Sequence, residues 1–366
     1  MPVPEIIFPA DPLNPRRPDP HFAWEARMLR ELGGGHHLVD HDALLAGRAE
    51  EAVRRVPQDS GPLWYRGWML PSARYADFAA ALTARGGNLL TSAPGYAAAH
   101  ELPGWYDVFE GSTPASAWIP SDGPVVPGPQ ELAEAAARLG GRGPAIVKDY
   151  VKSRKHEWHE ACYVPELADL AAVGRVVERF VELQGEFLAG GVVLRRYEEF
   201  EGAPTGTDDG NGPGGATGHG GGAGRNGRGD AAGHDGPGGE AGQSGAAGAA
   251  GAERVGGDAP GTGGRAVEAR VWWLDGRPVL VGPHPDAPRQ AVEPDLADVQ
   301  TLVRRLGCRF VTTDLASRAD GSGWRVVEVG DGQVSDLPRG IDASGLLASL
   351  LAARRAAPRE RATPGS

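Results

Sequence analysis

The sequence predicts an α/β (α+β) protein, and three features carry that prediction. Strand and helix patterns alternate through the first third of the chain. Near its end, two apolar β-branched runs flank a polar turn. Between two further strand patterns lies a stretch rich in Gly, Ala, Asp, Pro, Thr and Ser, which cannot repay the entropy of ordering and so reads as an insertion within a domain.

The elements follow in order. Residues 5–8 form a short apolar strand. Asp19 offers an N-cap, Pro20 suits the first helical turn, and Gly33 to Gly35 close a helix whose buried face holds Phe22, Met28, Leu29 and Leu32. Strands are expected at 38–40, at 63–70 with Arg66 near its centre, and at 88–92, with an amphipathic helix over 75–85. These make an N-terminal α/β domain, residues 1–121. A second domain spans 122–355. It opens with a helix over 129–139 and the strand AIVK, 145–148, which ends on Lys148 and is followed by Lys152 and Lys155 in a polar loop. A helix over 167–183 leads to the strand 191–197, and the strand 267–274 is turned by Asp275-Gly276 into 278–281. Helices at 296–306 and 344–353 complete it. The Gly-rich insertion, 202–264, and the tail, 356–366, are expected to be disordered. Lengthening a hairpin loop to that size costs roughly 2 kcal/mol, which a domain can carry.

Composition excludes several classes. The net charge of -11 argues against a nucleic-acid partner. The two cysteines, Cys162 and Cys308, form no CxxC, so neither a disulfide scaffold nor a thiolate zinc cluster is expected. With no signal-peptide pattern and no apolar run long enough to span a bilayer, the expectation is a cytoplasmic protein without membrane contact.

The most informative stretch is 309–337, RFVTTDLASRADGSGWRVVEVGDGQVSDL. Its strands carry Asp314 and Glu328, with Asp331 just beyond, so the hairpin brings three carboxylates to one end of a sheet with Gln333 behind them. One such acid alone would more often face water. Three suit a hard cation, which takes oxygen ligands and commonly combines one or two carboxylates with substrate phosphates. A second signal is VEARV, 267–271: alternation puts Glu268, Arg270 and Trp272 on one face. An intrastrand ion pair is the plain reading of that face. Lysines after a strand are usually a solvated turn, although ammonium groups also stabilise polyphosphates. No P-loop pattern is present. The run HEWHE, 156–160, lacks zinc-ligand spacing, and His36, His37 and His41 match no metal pattern. Arg66, flanked by Trp64, Tyr65 and Trp68, is either part of a structural cluster or a holder of an acidic substrate.

Asp on one strand and Glu-x-x-Asp on the next, within VVEVGDGQVSDLP, resembles the metal-binding end of the ATP-grasp superfamily, in particular the clade named for one arginine and two lysines. The resemblance implies an ATP-grasp fold behind an N-terminal pre-ATP-grasp domain, using ATP with Mg²⁺ or Mn²⁺. It implies an ATP-dependent ligase joining a small carboxylate or peptide to an amine through an acyl phosphate; a small-molecule kinase or a non-catalytic nucleotide-binding module are the alternatives. Asp314, Glu328 and Asp331 become the metal ligands, Asp331 standing for the Asn of the usual Glu-x-Asn. Lys148 and Lys152 match the two lysines, with Lys155 as a substitute for the second, and Arg270 matches the arginine. Lys148, Lys152, Arg195, Tyr197, Glu198 and Glu268 would bind ATP, Arg270 and Lys152 would be catalytic, and Arg66 would face the substrate.

Overall fold

The computed structural model describes residues 3–202, 266–285, 292–338 and 340–353, all within one contact-defined unit. The Gly-rich stretch from residue 203 and the tail, both expected to be disordered, lie outside the described residues.

The N-terminal region comprises β1 (Glu5–Asp11), β2 (Asn14–Pro18), α1 (Ala23–Glu31), β3 (His36–Val39), α2 (His41–Leu45), α3 (Ala49–Ala52), β4 (Gly61–Tyr65), α4 (Ser72–Ala84) and β5 (Gly87–Leu89). β1 runs parallel to β3 and β4, β4 parallel to β5, and β2 folds back antiparallel on β1. Burial on both faces explains why β1 is apolar through its centre: a parallel sheet is covered on either side. Ile7 packs with Val39, Leu63, Tyr75 and Phe78, whereas Ile6 and Phe8 pack with Phe22, Ala26 and Leu29 on the opposite side.

Three local expectations shift. α1 begins at Ala23, because Asp19 is spent on a turn, accepting from His21 N at 2.8 Å. β4 stops at Tyr65, where the 332–335 loop takes over its pairing: Tyr65 N donates to Gln333 Oε1 at 3.0 Å and Gly67 N to Gln333 O at 3.1 Å. Two helices not foreseen, α5 (Ala93–His100) and α6 (Leu102–Phe109), follow; Ser92 caps the first by accepting from Gly95 N at 3.2 Å.

A second sheet has the order β6-β9-β7-β8, formed by β6 (Ser116–Pro120), β7 (Ala145–Lys148), β8 (Tyr163–Val164) and β9 (Gly191–Arg196), with α7 (Pro129–Arg138) and α8 (Leu170–Gln184) on one face. β6, a strand the sequence reading did not foresee, lies within the residues assigned to the first domain yet pairs antiparallel with β9. The third sheet has the order β11-β10-β12-β13, all antiparallel: β10 (Glu268–Leu274), β11 (Arg277–Pro283), β12 (Phe310–Ser317) and β13 (Trp324–Asp331), with α9 (Ala297–Leu306) and α10 (Ser344–Ala352). Asp275 and Gly276, with φ of 48° and 74°, make the tight β10–β11 turn that Asp-Gly predicts. This sheet shares apolar packing with the N-terminal region: Trp272 and Phe310 join Ile6, Phe8 and Trp64. The Trp64 ring lies 5.8 Å from Phe310, and its Nε1 donates to Leu350 O at 3.0 Å. No helix among the described residues is long and apolar enough to cross a membrane.

Candidate active site

Strand register builds the site. Arg270 on β10 pairs with Asp314 on β12, and Asp314 pairs with Glu328 on β13, so the three side chains form a row across one face. Arg270 forks onto Asp314, Nε to Oδ1 at 2.7 Å and Nη2 to Oδ2 at 2.8 Å. Burial alone would raise the Asp314 carboxyl, but the Arg270 charge outweighs it and holds the group well below the usual carboxylate range. His284, a residue that sequence reasoning missed, closes the cluster. Its Nε2 lies 3.3 Å from Asp314 Oδ2, and its Nδ1 lies 3.9 Å from Glu268 Oε2. Glu328 is the open member of the row, with its side chain 42% exposed.

The second sheet answers with cations. Lys148, at the end of β7, is buried, and its Nζ comes within 3.7 Å of Glu328 Oε1. Burial pulls its pKa down, against the pull of Glu328. β7 pairs with β9 so that Lys148 and Arg195 share a face, opposite the core face of Val147 and Leu194. Arg195 is likewise buried, lies 6.0 Å from the centre of the Trp105 ring, and burial lowers it to about 10. Lys152 is exposed at the loop tip. That loop is shaped by Asp149, also missed from sequence. Asp149 Oδ1 accepts from the backbone N–H groups of Val151 and Lys152, and its Oδ2 accepts from Gln184 Nε2 at 2.8 Å. The signal was readable: an Asp directly after a strand commonly shapes a local turn.

The remaining candidates are placed differently. Tyr197 packs among the rings of Trp158 and Tyr163, at 6.0 and 5.4 Å. Glu198 takes a two-pronged bond from Arg325, Nε at 2.9 Å and Nη2 at 2.8 Å, tying the end of β9 to β13.

Two expectations require correction. Asp331 does not join the carboxylate row. It lies three residues beyond Glu328, on the face shared with buried Val329, and is fully buried. Its Oδ1 accepts from Gln333 N at 2.9 Å and Gln333 Nε2 at 3.0 Å, while Oδ2 has no partner among the described residues. The residue that does share Glu328's face is Gly330, where a Cβ would meet Thr312 Oγ1 at 3.1 Å. Arg66 does not face a substrate either. It is buried, donates to Glu25 through Nε at 2.9 Å and Nη2 at 2.8 Å, and its Nη1 reaches the carbonyls of Gly332, Gln333 and Ser335 at 2.7, 3.2 and 3.0 Å. Its donors are spent on holding the loop that follows β13.

The Asp331 assignment has a direct check. Burial pushes its carboxyl up to about 7, opposed by the Gln333 hydrogen bonds. The folded protein therefore binds more protons than the unfolded chain between about pH 4 and 7, so stability falls as pH rises through that window. An Asn there keeps the Oδ1 acceptor and carries no charge. Asp331→Asn is expected to melt several degrees above the parent at pH 8, with the gap narrowing as pH falls and closing near pH 4, followed by thermal denaturation.

Asp314 and Glu328 fit Mg²⁺ by donor chemistry, as the carboxylate pair that nucleotide phosphates would complete. Among the described residues no cluster of His, Cys, Asp or Glu could hold a metal by itself. Two antiparallel sheets thus meet here, one presenting acids and an arginine and the other buried cations. The model of the ATP-grasp domain from family 3 of the clade named for one arginine and two lysines matches residues 138–215 and 252–350. The chain belongs to the ATP-grasp superfamily. Among solved structures, D-cycloserine synthetase DcsG is 14% identical, with 95% of this chain and 98% of that one covered and a TM-score of 0.53. A RimK domain ATP-grasp protein from Sphaerobacter thermophilus is 12% identical, with 96% and 100% covered and a TM-score of 0.49. The ATP-grasp ligase PsnB, solved with a minimal precursor, Mg and ADP, is 14% identical, with 95% and 97% covered and a TM-score of 0.47. No curated protein matches the sequence.

Proposed function

We propose that this chain is an ATP-dependent carboxylate–amine ligase. The observation that carries the reading is the in-register row of Arg270, Asp314 and Glu328, with Lys148 of the facing sheet 3.7 Å from Glu328. Acids and cations in contact across two sheets suit a metal-bound polyphosphate and offer little to hydrolytic chemistry. Asp314 and Glu328 would hold Mg²⁺, which supplies neutralisation of phosphate charge. Lys148 and Lys152 would bind the phosphates, with Arg195 adding a buried positive charge. The backbone around Tyr197 and Glu198 would hold adenine, and Glu268 would orient His284 beside Arg270. A substrate carboxylate oxygen attacks the terminal phosphorus and ADP leaves. An amine nitrogen then attacks the acyl carbon, loses a proton, and phosphate leaves with the carbon–oxygen bond.

Hydroxylamine in place of the amine tests this. A hydroxamate formed with Mg-ATP and a panel of carboxylic acids, amino acids and peptides supports ligation. A stable phosphorylated product would mark a kinase, and nucleotide binding without ADP release a non-catalytic module.

Arg270 would meet the transferred group, where its planar fork matters more than its charge. Arg270→Lys is expected to lower the single-turnover rate by about a hundredfold while changing nucleotide affinity by only a few-fold. Weak binding with a normal rate at saturation would contradict that role.

A further inference from the structure

We propose that His100 is a nucleotide contact, donating a hydrogen bond from its ring to a phosphate oxygen alongside Lys148 and Lys152. The inference rests on the nucleotide-binding reading above and adds a residue from outside the two sheets.

His100 ends α5 and is only 8% exposed. Its ring is held from one side by an aromatic stack. Tyr96 lies 4.9 Å from it, and Tyr75 lies 4.0 Å from Tyr96 with the two tyrosine rings nearly parallel. The Tyr96 hydroxyl is itself fixed, donating to Leu70 O at 2.8 Å and accepting from Leu70 N at 3.1 Å. Yet neither ring nitrogen of His100 has a hydrogen-bond partner among the described residues. Neither nitrogen is among the fully sequestered unpaired atoms, so the polar edge of the ring meets solvent, and a donor left open at the end of a buried stack calls for an explanation.

The charges around the ring supply one. Two residues beyond His100, Leu102 N donates to Tyr150 O at 2.9 Å, in the turn between Lys148 and Lys152, so the end of α5 abuts that turn. Glu328, Lys152 and Lys148 are the charged groups around the ring. Burial, aided by the two ammonium groups and opposed by Glu328, lowers its pKa to about 4, so the ring is neutral near pH 7. One nitrogen then carries a proton with no acceptor among the described residues. The same two lysines would gather the anionic oxygens of a polyphosphate, each of which is a hydrogen-bond acceptor. A neutral donor there adds a directed bond without adding a third mutually repelling cation to the site. A purely structural role would need only a flat ring on Tyr96, which phenylalanine provides.

The test is calorimetric titration of Mg-ADP into the parent protein, His100→Phe and His100→Gln. His100→Phe keeps the stack and is expected to bind about tenfold more weakly or worse, with an unchanged melting temperature without nucleotide. His100→Gln, whose amide can donate, is expected to recover most of the loss. Equal affinity in the parent and His100→Phe overturns the proposal. Failure of the parent to bind Mg-ADP overturns the nucleotide-binding reading beneath it. Should His100→Phe not fold, ¹⁵N-histidine spectra of the parent decide: the His100 ring resonances move on adding Mg-ADP, and unmoved resonances overturn the proposal.

Discussion

Glu328→Gln is expected to lower turnover by about a hundredfold or more while leaving the melting temperature nearly unchanged. The amide preserves the shape of the side chain and removes the charge that a divalent cation needs. The fold has little at stake. Glu328 is 42% exposed, and its ion-pair contact is the 3.7 Å approach of Lys148. Steady-state rates over a Mg²⁺ series, beside a thermal melt, separate the two effects. Turnover within a few-fold of the parent would remove Glu328 from the metal site, and a large drop in melting temperature would show that its role is structural.

Arg66→Ala should do the reverse. Removing the guanidinium strands Glu25, which is 2% exposed, without its counter-charge, and frees the carbonyls of Gly332, Gln333 and Ser335. Breaking one partner of a buried pair typically costs about 3–5 kcal/mol. For a chain of this size that corresponds to a drop of about 10 °C in melting temperature. Replacing both members, Arg66→Met with Glu25→Leu, should restore much of the loss, because no orphaned charge is then left. An Arg66→Ala protein that melts like the parent but shows a raised KM for an acidic substrate would return Arg66 to the substrate site.

Much of the scaffold was legible because its signals are local. The β12–β13 hairpin follows from two apolar runs around a polar turn, and the Arg270–Glu268 face from simple alternation. The same alternation separates Asp331 from the carboxylate row. Glu-x-Asn spaces two ligands on one face, whereas Glu328 and Asp331 stand an odd number of residues apart and point to opposite faces. The strand also carries a bulge: Glu328 opposes Asp314 while Val326 opposes Leu315, leaving Val327 as the extra residue. Other features depend on distant partners that no local pattern encodes. Arg66 is structural because Glu25 and the 332–335 loop meet it from far along the chain. His284 and His100 sit in ordinary sequence surroundings and acquire meaning only from what packs beside them.

The way Trp64 and Arg66 reach across to α10 and to the loop after β13 bears on modularity. The matched domain cannot be treated as a separable cassette. Cutting the chain near residue 122 would strip the cover from Trp272 and Phe310 and remove the guanidinium that shapes 332–335. A fragment lacking the first 121 residues is therefore expected to aggregate or to melt without a cooperative transition. Recombining residues 122–366 with the N-terminal region of a distant relative should fail for the same reason, unless the graft brings its own counterparts of Trp64, Arg66 and Glu25.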